Sequence, residues 1–219
     1  MNKAVVIGAG LDQSFAVDVD GVVWGWGLNT LGQIGISTSV SMSSPDAAFI
    51  HTPTKVIGLS KEELGGEAKI IKIASGECFT LFLASNGNVY SCGSSLYGRL
   101  GLAETDQAFN NDRQGEKFEG FPVILQPALV TFPESGLDID DDPIIHISCG
   151  SRNSLAITRD GIMFSWGQHN QGGLGLGDCR EVYTPTIVIR REGSWKARAT
   201  ACGGPHCLAL LEKTREGLK

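Results

Sequence analysis

The chain has 219 residues, a net charge of −6 and 42% hydrophobic residues, enough for one domain with a substantial core. No apolar run approaches the ~18 residues of a membrane span, and Asp12 interrupts the one early apolar stretch, so neither a membrane helix nor a signal peptide is expected. The 29 glycines are about double ordinary usage, and their register explains them better than disorder does.

Residues 5–7 read as a first strand. Gly10 follows, and then Gly21, Gly27, Gly32 and Gly35 at intervals of eleven, six, five and three residues. Asp20-Gly21 suits a tight hairpin turn, which needs positive φ. A serine-rich insert, 37–52, carries Ser41, Ser43 and Ser44 and reads as a linker. Residues 52–57 form the next strand, with Pro53 at its start, where a missing N–H is tolerated.

The second copy opens with strand 70–73 and repeats the spacing through Gly76, Gly87, Gly93, Gly98 and Gly101, with Asn86-Gly87 as its turn. A long insert, 103–144, follows and contains strand 126–130. The third copy opens with strand 144–147 and repeats the spacing through Gly150, Gly161, Gly167, Gly172 and Gly175. Its residues 154–158 alternate apolar with small or polar side chains, as a strand does. Asp160-Gly161 turns the chain, 162–166 returns, and 184–188 is the last strand. A fourth copy, around 197–211, stops where its second half should begin. The copies span about 4–57, 69–131 and 144–189. Each full copy supplies four antiparallel strands, which is one blade of a β-propeller. The fold class is therefore all-β, a propeller of four-stranded antiparallel blades with three complete repeats and a partial fourth, in a single domain over 1–219.

These residues resemble the regulator of chromosome condensation repeat family. The third copy carries the pattern most fully, as Gly150, Ser154-Leu155-Ala156-Ile157, Asp160-Gly161, Ser165-Trp166-Gly167 and Gly172-Gly173-Leu174-Gly175. The first copy matches through Trp26-Gly27 and Gly32-Gln33-Ile34-Gly35. The second departs, with Cys92-Gly93 for Trp-Gly and Arg99 for Gln. The family's His before the Ser-Leu-Ala strand survives as His206, and a structural hydrogen bond is expected there. Gln13, Phe79 and Asn153 fill the slot elsewhere. The resemblance implies a non-catalytic scaffold presenting loops to a protein partner. It also implies two alternatives: guanine-nucleotide exchange on a small Ran-like GTPase, which the founding member performs, and substrate recruitment in a ubiquitin-ligase system. Family propellers usually have seven blades, so the chain is expected to be a piece of a larger protein, an open stack, or one of two copies completing a ring.

Chemical motifs are scarce. The four histidines are scattered, and there is no nucleophile elbow, phosphate loop or zincin helix. Gly8-x-Gly10 precedes a hairpin, not a helix, which argues against a dinucleotide site. Cys202, Cys207 and His206 make a poor zinc set, so no metal, cofactor or catalytic residue is assigned. Cys149 and Cys202 share a repeat slot filled by Ala9 and Ser75 elsewhere, which predicts packed thiols in an intracellular protein, cytoplasmic or nuclear. Trp24, Trp26 and Trp166 are expected to pack within blades.

Charge carries the non-repetitive information. The insert 103–144 holds ten acids against two bases, Arg113 and Lys117, for a net of −8. As a recognition loop it would offer Asp138, Asp140, Asp141 and Asp142 to a basic partner. Arg190 and Arg191 lead a basic cluster around Trp195 with Lys196 and Arg198, a second candidate contact. The overall acidic balance argues against nucleic acid as the partner.

Overall fold

The computed structural model describes residues 1–37, 49–103, 117–118, 121–132, 141–168, 172–177, 180–188 and 194–214. Among them the chain forms consecutive antiparallel sheets. The first contains β1 (Ala4–Ala9), β2 (Gln13–Asp18), β3 (Val23–Leu28) and β4 (Phe49–Lys55), in that order. The second contains β5 (Ile70–Ser75), β6 (Phe79–Ala84), β7 (Val89–Ser94), β8 (Lys117–Phe118) and β9 (Phe121–Val130), in the order β5-β6-β7-β9-β8. The third contains β10 (Ile144–Cys149), β11 (Asn153–Thr158), β12 (Met163–Gly167) and β13 (Val182–Ile187). The fourth is a hairpin of β14 (Trp195–Cys202) and β15 (Cys207–Lys213). The first strands β1, β5, β10 and β14 lie side by side around one axis. This is an incomplete propeller of three full blades and part of a fourth.

The expected prolines sit differently. In each full blade the outer strand slips register against its neighbour: Gly25 pairs Thr54 while Gly27 pairs Ile50, Ser91 pairs Ala128 while Gly93 pairs Ile124, and Ser165 pairs Thr186 while Gly167 pairs Val182. Pro53, Pro127 and Pro185 fall inside those slips and not at strand starts. A bulge demands no ladder N–H, so proline costs little there. Gly27, Gly93 and Gly167 face the slips with φ near +107°, +113° and +106°. A Cβ on Gly167 would lie 2.6 Å from the Arg152 carbonyl oxygen. Both the φ and the crowding require glycine.

The insert 103–144 is not one loop. Its middle is β8 and the ten-residue β9, so the second blade carries five strands. The chain enters and leaves β9 at opposite ends of the sheet.

The core lies between blades. Phe15, Val17 and Ile34 of the first blade pack with Ile73, Phe82 and Cys92 of the second, with Phe15 edge-on to Phe82 at 5.5 Å. Phe79, Leu81 and Leu83 of the second pack with Ile147, Phe164 and Trp166 of the third. Trp166 is fully buried, as expected. Trp24 and Trp26 are half-buried, and the Trp24 indole N–H donates to the Asp18 carboxylate at 2.9 Å.

Candidate partner-binding surface

A blade has two ends. One rim carries the turns after β1, β5, β10 and β14, together with the loops after β3, β7 and β12. The opposite rim carries the Asp20-Gly21, Asn86-Gly87 and Asp160-Gly161 turns and the connections between blades.

The first rim is locked by bonds that cross from blade to blade. The Glu77 amide donates to the Ser151 carbonyl at 3.1 Å, and the Ser151 amide donates to the Gly204 carbonyl at 3.1 Å. The Gln13 amide nitrogen reaches the Gly76 carbonyl at 3.1 Å. The loop after the third strand of one blade plugs into the next. The Gln33 carbonyl accepts from the Thr80 hydroxyl at 2.7 Å. The Arg99 carbonyl accepts from the Ser154 hydroxyl at 2.9 Å and the Trp166 indole at 3.1 Å. The Gln13, Gln33 and Arg99 bonds are buried, where an unmade partner would be costly.

On this frame sits a cleft of about 580 Å³ whose lining includes Leu11, Glu77, Arg152, Asn153, Gln168 and Pro205. Arg152 Nε lies 3.1 Å from Glu77 Oε2, and both side chains remain substantially exposed. The Arg152 guanidinium lies 5.8 Å from the Tyr97 ring, and the buried Arg99 guanidinium lies 5.7 Å from the same ring. Tyr97 adopts φ +62°, a conformation that few non-glycine residues take. The Arg99 guanidinium also lies over Phe79 at 5.9 Å, and its Nε donates to the Leu96 carbonyl at 2.8 Å. Burial lowers the pKa of Arg99, while the carboxylate of Glu77 holds Arg152 more firmly protonated. The rim thus presents an aromatic ring and an ion pair of both signs, a pattern suited to polar protein recognition.

Deeper along the axis, Lys72 of the second blade, His146 of the third and Thr200 of the fourth form one chain of contacts. Lys72 Nζ lies 3.1 Å from His146 Nδ1, and His146 Nε2 lies 3.0 Å from the Thr200 carbonyl oxygen. A neutral imidazole protonated on Nε2 satisfies both contacts. Burial lowers the His146 pKa, and Lys72 lowers it further against the raising effect of the Thr200 bond.

Among the described residues, those nominated from the sequence do not form one patch. Asp138, Asp140, Arg113, Arg190 and Arg191 lie outside the described residues. Lys117 lies in β8, its backbone paired with Pro122. Asp141 is exposed on the opposite rim. Asp142 is buried, and its Oδ1 accepts the Asp160 amide at 2.8 Å, so it braces the Asp160-Gly161 turn. Lys117 and Asp141 are therefore at opposite ends of β9. Lys196 and Arg198 reach Asp160 at 3.8 Å and Glu212 at 2.6 Å. His206 is exposed, with its ring over Gly203 and no side-chain hydrogen bond among the described residues. This corrects the expected structural bond; the equivalent Gln13, Phe79 and Asn153 are buried under a following blade. Sequence reasoning missed Glu77, Tyr97, Arg152 and His146. For Glu77 and Arg152 the available signal was variation at turn positions inside an otherwise fixed glycine register; His146 lies within β10.

The Regulator of chromosome condensation (RCC1) repeat model matches residues 20–83, 86–157 and 160–210. The chain belongs to this family. It is 32% identical over 210 residues to the E3 ubiquitin-protein ligase HERC2 of Mus musculus, covering 95% of this chain and 4% of that protein. It is 30% identical to protein pim1 of Schizosaccharomyces pombe, covering 86% of this chain and 32% of pim1. Its fold matches Prp20p of Saccharomyces cerevisiae, which binds Gsp1p and histones, with a TM-score of 0.80 at 24% identity over 97% of this chain and 44% of Prp20p. The chain thus spans less than half the length of each of these. Each matched unit begins at a hairpin turn and ends in the second strand of the next blade. One sequence repeat therefore joins two blades. Among the described residues no helix is long and apolar enough to cross a membrane.

Proposed function

We propose that this RCC1-repeat protein is a non-catalytic scaffold that binds a protein partner through the rim bearing Glu77, Tyr97 and Arg152. The observation that carries this reading is the joining of an exposed ion pair and an aromatic ring to blades fixed by buried cross-blade bonds. A rigid base spares the ordering cost that mobile loops incur on binding. Asp138, Asp140 and Asp141 supply a second, acidic contact; Asp141, the described one of the three, is exposed on the other rim. The partner acts inside the cell, in cytoplasm or nucleus.

A second reading, guanine-nucleotide exchange on a small GTPase, draws on the likeness to Prp20p. The likeness to HERC2 supports a third, substrate recruitment for ubiquitin ligation. One experiment separates all three: affinity capture from cell extract with and without EDTA, using the native chain, Glu77→Lys with Arg152→Glu, and Asp138, Asp140 and Asp141 each changed to Ser. A partner lost with the first pair supports the rim reading. A GTPase enriched only with EDTA, and released from nucleotide by the purified chain, favours exchange. Ligase substrates or subunits favour recruitment. Capture unchanged by either set of substitutions overturns both proposed contacts.

A further inference from the structure

The first two strands of every blade place one pair of small side chains opposite each other just below the rim. The pairs are Ala9 with Ser14, Ser75 with Thr80, Cys149 with Ser154 and Cys202 with Cys207. In the second blade the pair is two hydroxyls 3.0 Å apart. In the fourth it is two thiols, with sulfurs 3.3 Å apart. Thr80 and Ser154 are buried by the next blade, whereas Cys202 and Cys207 are both partly exposed. The Gly203 amide donates to the His206 carbonyl at 2.9 Å. The adjacent Cys202–Cys207 pair therefore falls at the closely spaced, non-hydrogen-bonded position of the ladder, where Cα atoms stand about 4.5 Å apart. That spacing lies within the range a disulfide spans.

We propose that Cys202 and Cys207 are a peroxide-oxidised, thiol-reversible dithiol pair. Cys202 is the attacking sulfur. The Cys207 thiol donates to it, and the Ser148 hydroxyl lies 3.4 Å away. Those two contacts favour its thiolate, against the opposing effect of burial, and hold its pKa below the ordinary thiol value, while Cys207, the donor, is held above it. The Cys202 thiolate attacks one oxygen of hydrogen peroxide, whose O–O bond breaks. Cys202 becomes a sulfenic acid, and hydroxide leaves and takes a proton to become water. The Cys207 sulfur then attacks the sulfenic sulfur, the S–O bond breaks, and the departing hydroxide takes the Cys207 proton as a second water. In sum two thiols are oxidised and one peroxide is reduced. A free thiol reverses the bond by exchange. Cys92 and Cys149 lack this setting, because burial raises both thiols well above the ordinary value. The turn that the new bond would close contains Gly203, Gly204 and Pro205, which line the rim cleft.

The test uses the full reduced chain with stoichiometric hydrogen peroxide, followed by alkylation under denaturing conditions and tryptic mapping. Lys and Arg positions place both thiols in one peptide, 199–213. That peptide should escape alkylation, lose the mass of two hydrogens, and recover both thiols with dithiothreitol, while Cys92 and Cys149 become alkylated. Cys207→Ser should leave Cys202 as a sulfenic acid trapped by dimedone. Cys202→Ser should slow oxidation of Cys207 by about tenfold or more. Two alkyl groups on 199–213 after peroxide would overturn the pair, as would sulfinic acid on Cys202 beside a free Cys207. Dimedone on Cys207 of Cys202→Ser, at the native rate, would overturn the assignment of the attacking sulfur. Unchanged tryptophan fluorescence in both variants keeps the comparison on folded protein.

Discussion

The junction of the second and third blades and the face of the fourth sheet use the same repeat positions with opposite results. Leu81 and Leu83 are fully buried beneath the third blade, whereas their equivalents Leu208 and Leu210 are 70% and 66% exposed. Ile73 and Ile147 are buried against the preceding blade, whereas their equivalent Ile7 is 80% exposed. The side chains are of one class throughout. What differs is the neighbour. An apolar residue in a repeat fold contributes stability only when another unit covers it, so stability accrues at the interfaces. The third-strand loop makes the same point: the loop carrying Arg99 inserts its carbonyl between Ser154 and Trp166, whereas a Cβ on Gly172, in the equivalent loop of the third blade, would meet nothing within 4 Å.

The comparison breaks most visibly at Trp166. Trp166→Ala should cost about 3–5 kcal/mol, because it empties the junction and leaves the Arg99 carbonyl with one donor fewer. Leu210→Ser should stay within about 0.5 kcal/mol. Urea denaturation followed by circular dichroism measures both, and similar costs would refute the contrast. Glycine gives a smaller test. A Cβ on Gly76 would collide with the Phe79 ring and lie 2.6 Å from the Gly150 carbonyl oxygen, so Gly76→Ala should cost about 1–3 kcal/mol through overpacking. Gly172→Ala meets no atom and bears only the strain of φ +76°, about 1 kcal/mol. A larger loss at Gly172 would mean that its loop is covered in solution.

The blades were legible because glycine spacing, Asp-Gly and Asn-Gly turns and strand alternation are local signals, each repeated. The interlock was not. The carbonyls of Gln33 and Arg99 act through the backbone, and no side-chain pattern announces a backbone acceptor. Asp142 looked like part of an acidic surface because charge counts carry no direction, yet its carboxylate turns inward to the Asp160 amide. The acidic insert looked continuous because β9, rich in apolar residues, holds no acid and so did not interrupt the charge count. The copies of the first turn differ as Leu11, Glu77 and Ser151, but variation at a turn does not say what the turn faces. Pairing Glu77 with Arg152 needed the structure, since 75 residues separate them.

The weakest test falls on the contact that ties the two regions together. His146 accepts from Lys72 and holds the Thr200 carbonyl, so it links the interior blades to the fourth sheet. Its folded pKa lies below the ordinary 6.5 because of burial first and Lys72 second. As pH falls through that ordinary value, the unfolded chain takes up the proton before the folded chain does. Stability therefore declines with falling pH and levels off once the folded His146 is also protonated. Protonation adds a hydrogen to Nδ1 facing the Lys72 ammonium, so the loss should concentrate where β14 meets β10. Between roughly pH 7 and 5, the Thr200 amide should exchange faster with solvent while the Leu83 amide holds its protection. His146→Gln should flatten the pH dependence at Thr200. Parallel slopes in the native and variant chains would remove His146 as the cause, and equal acceleration at Leu83 would show that the fourth sheet opens only with the whole stack.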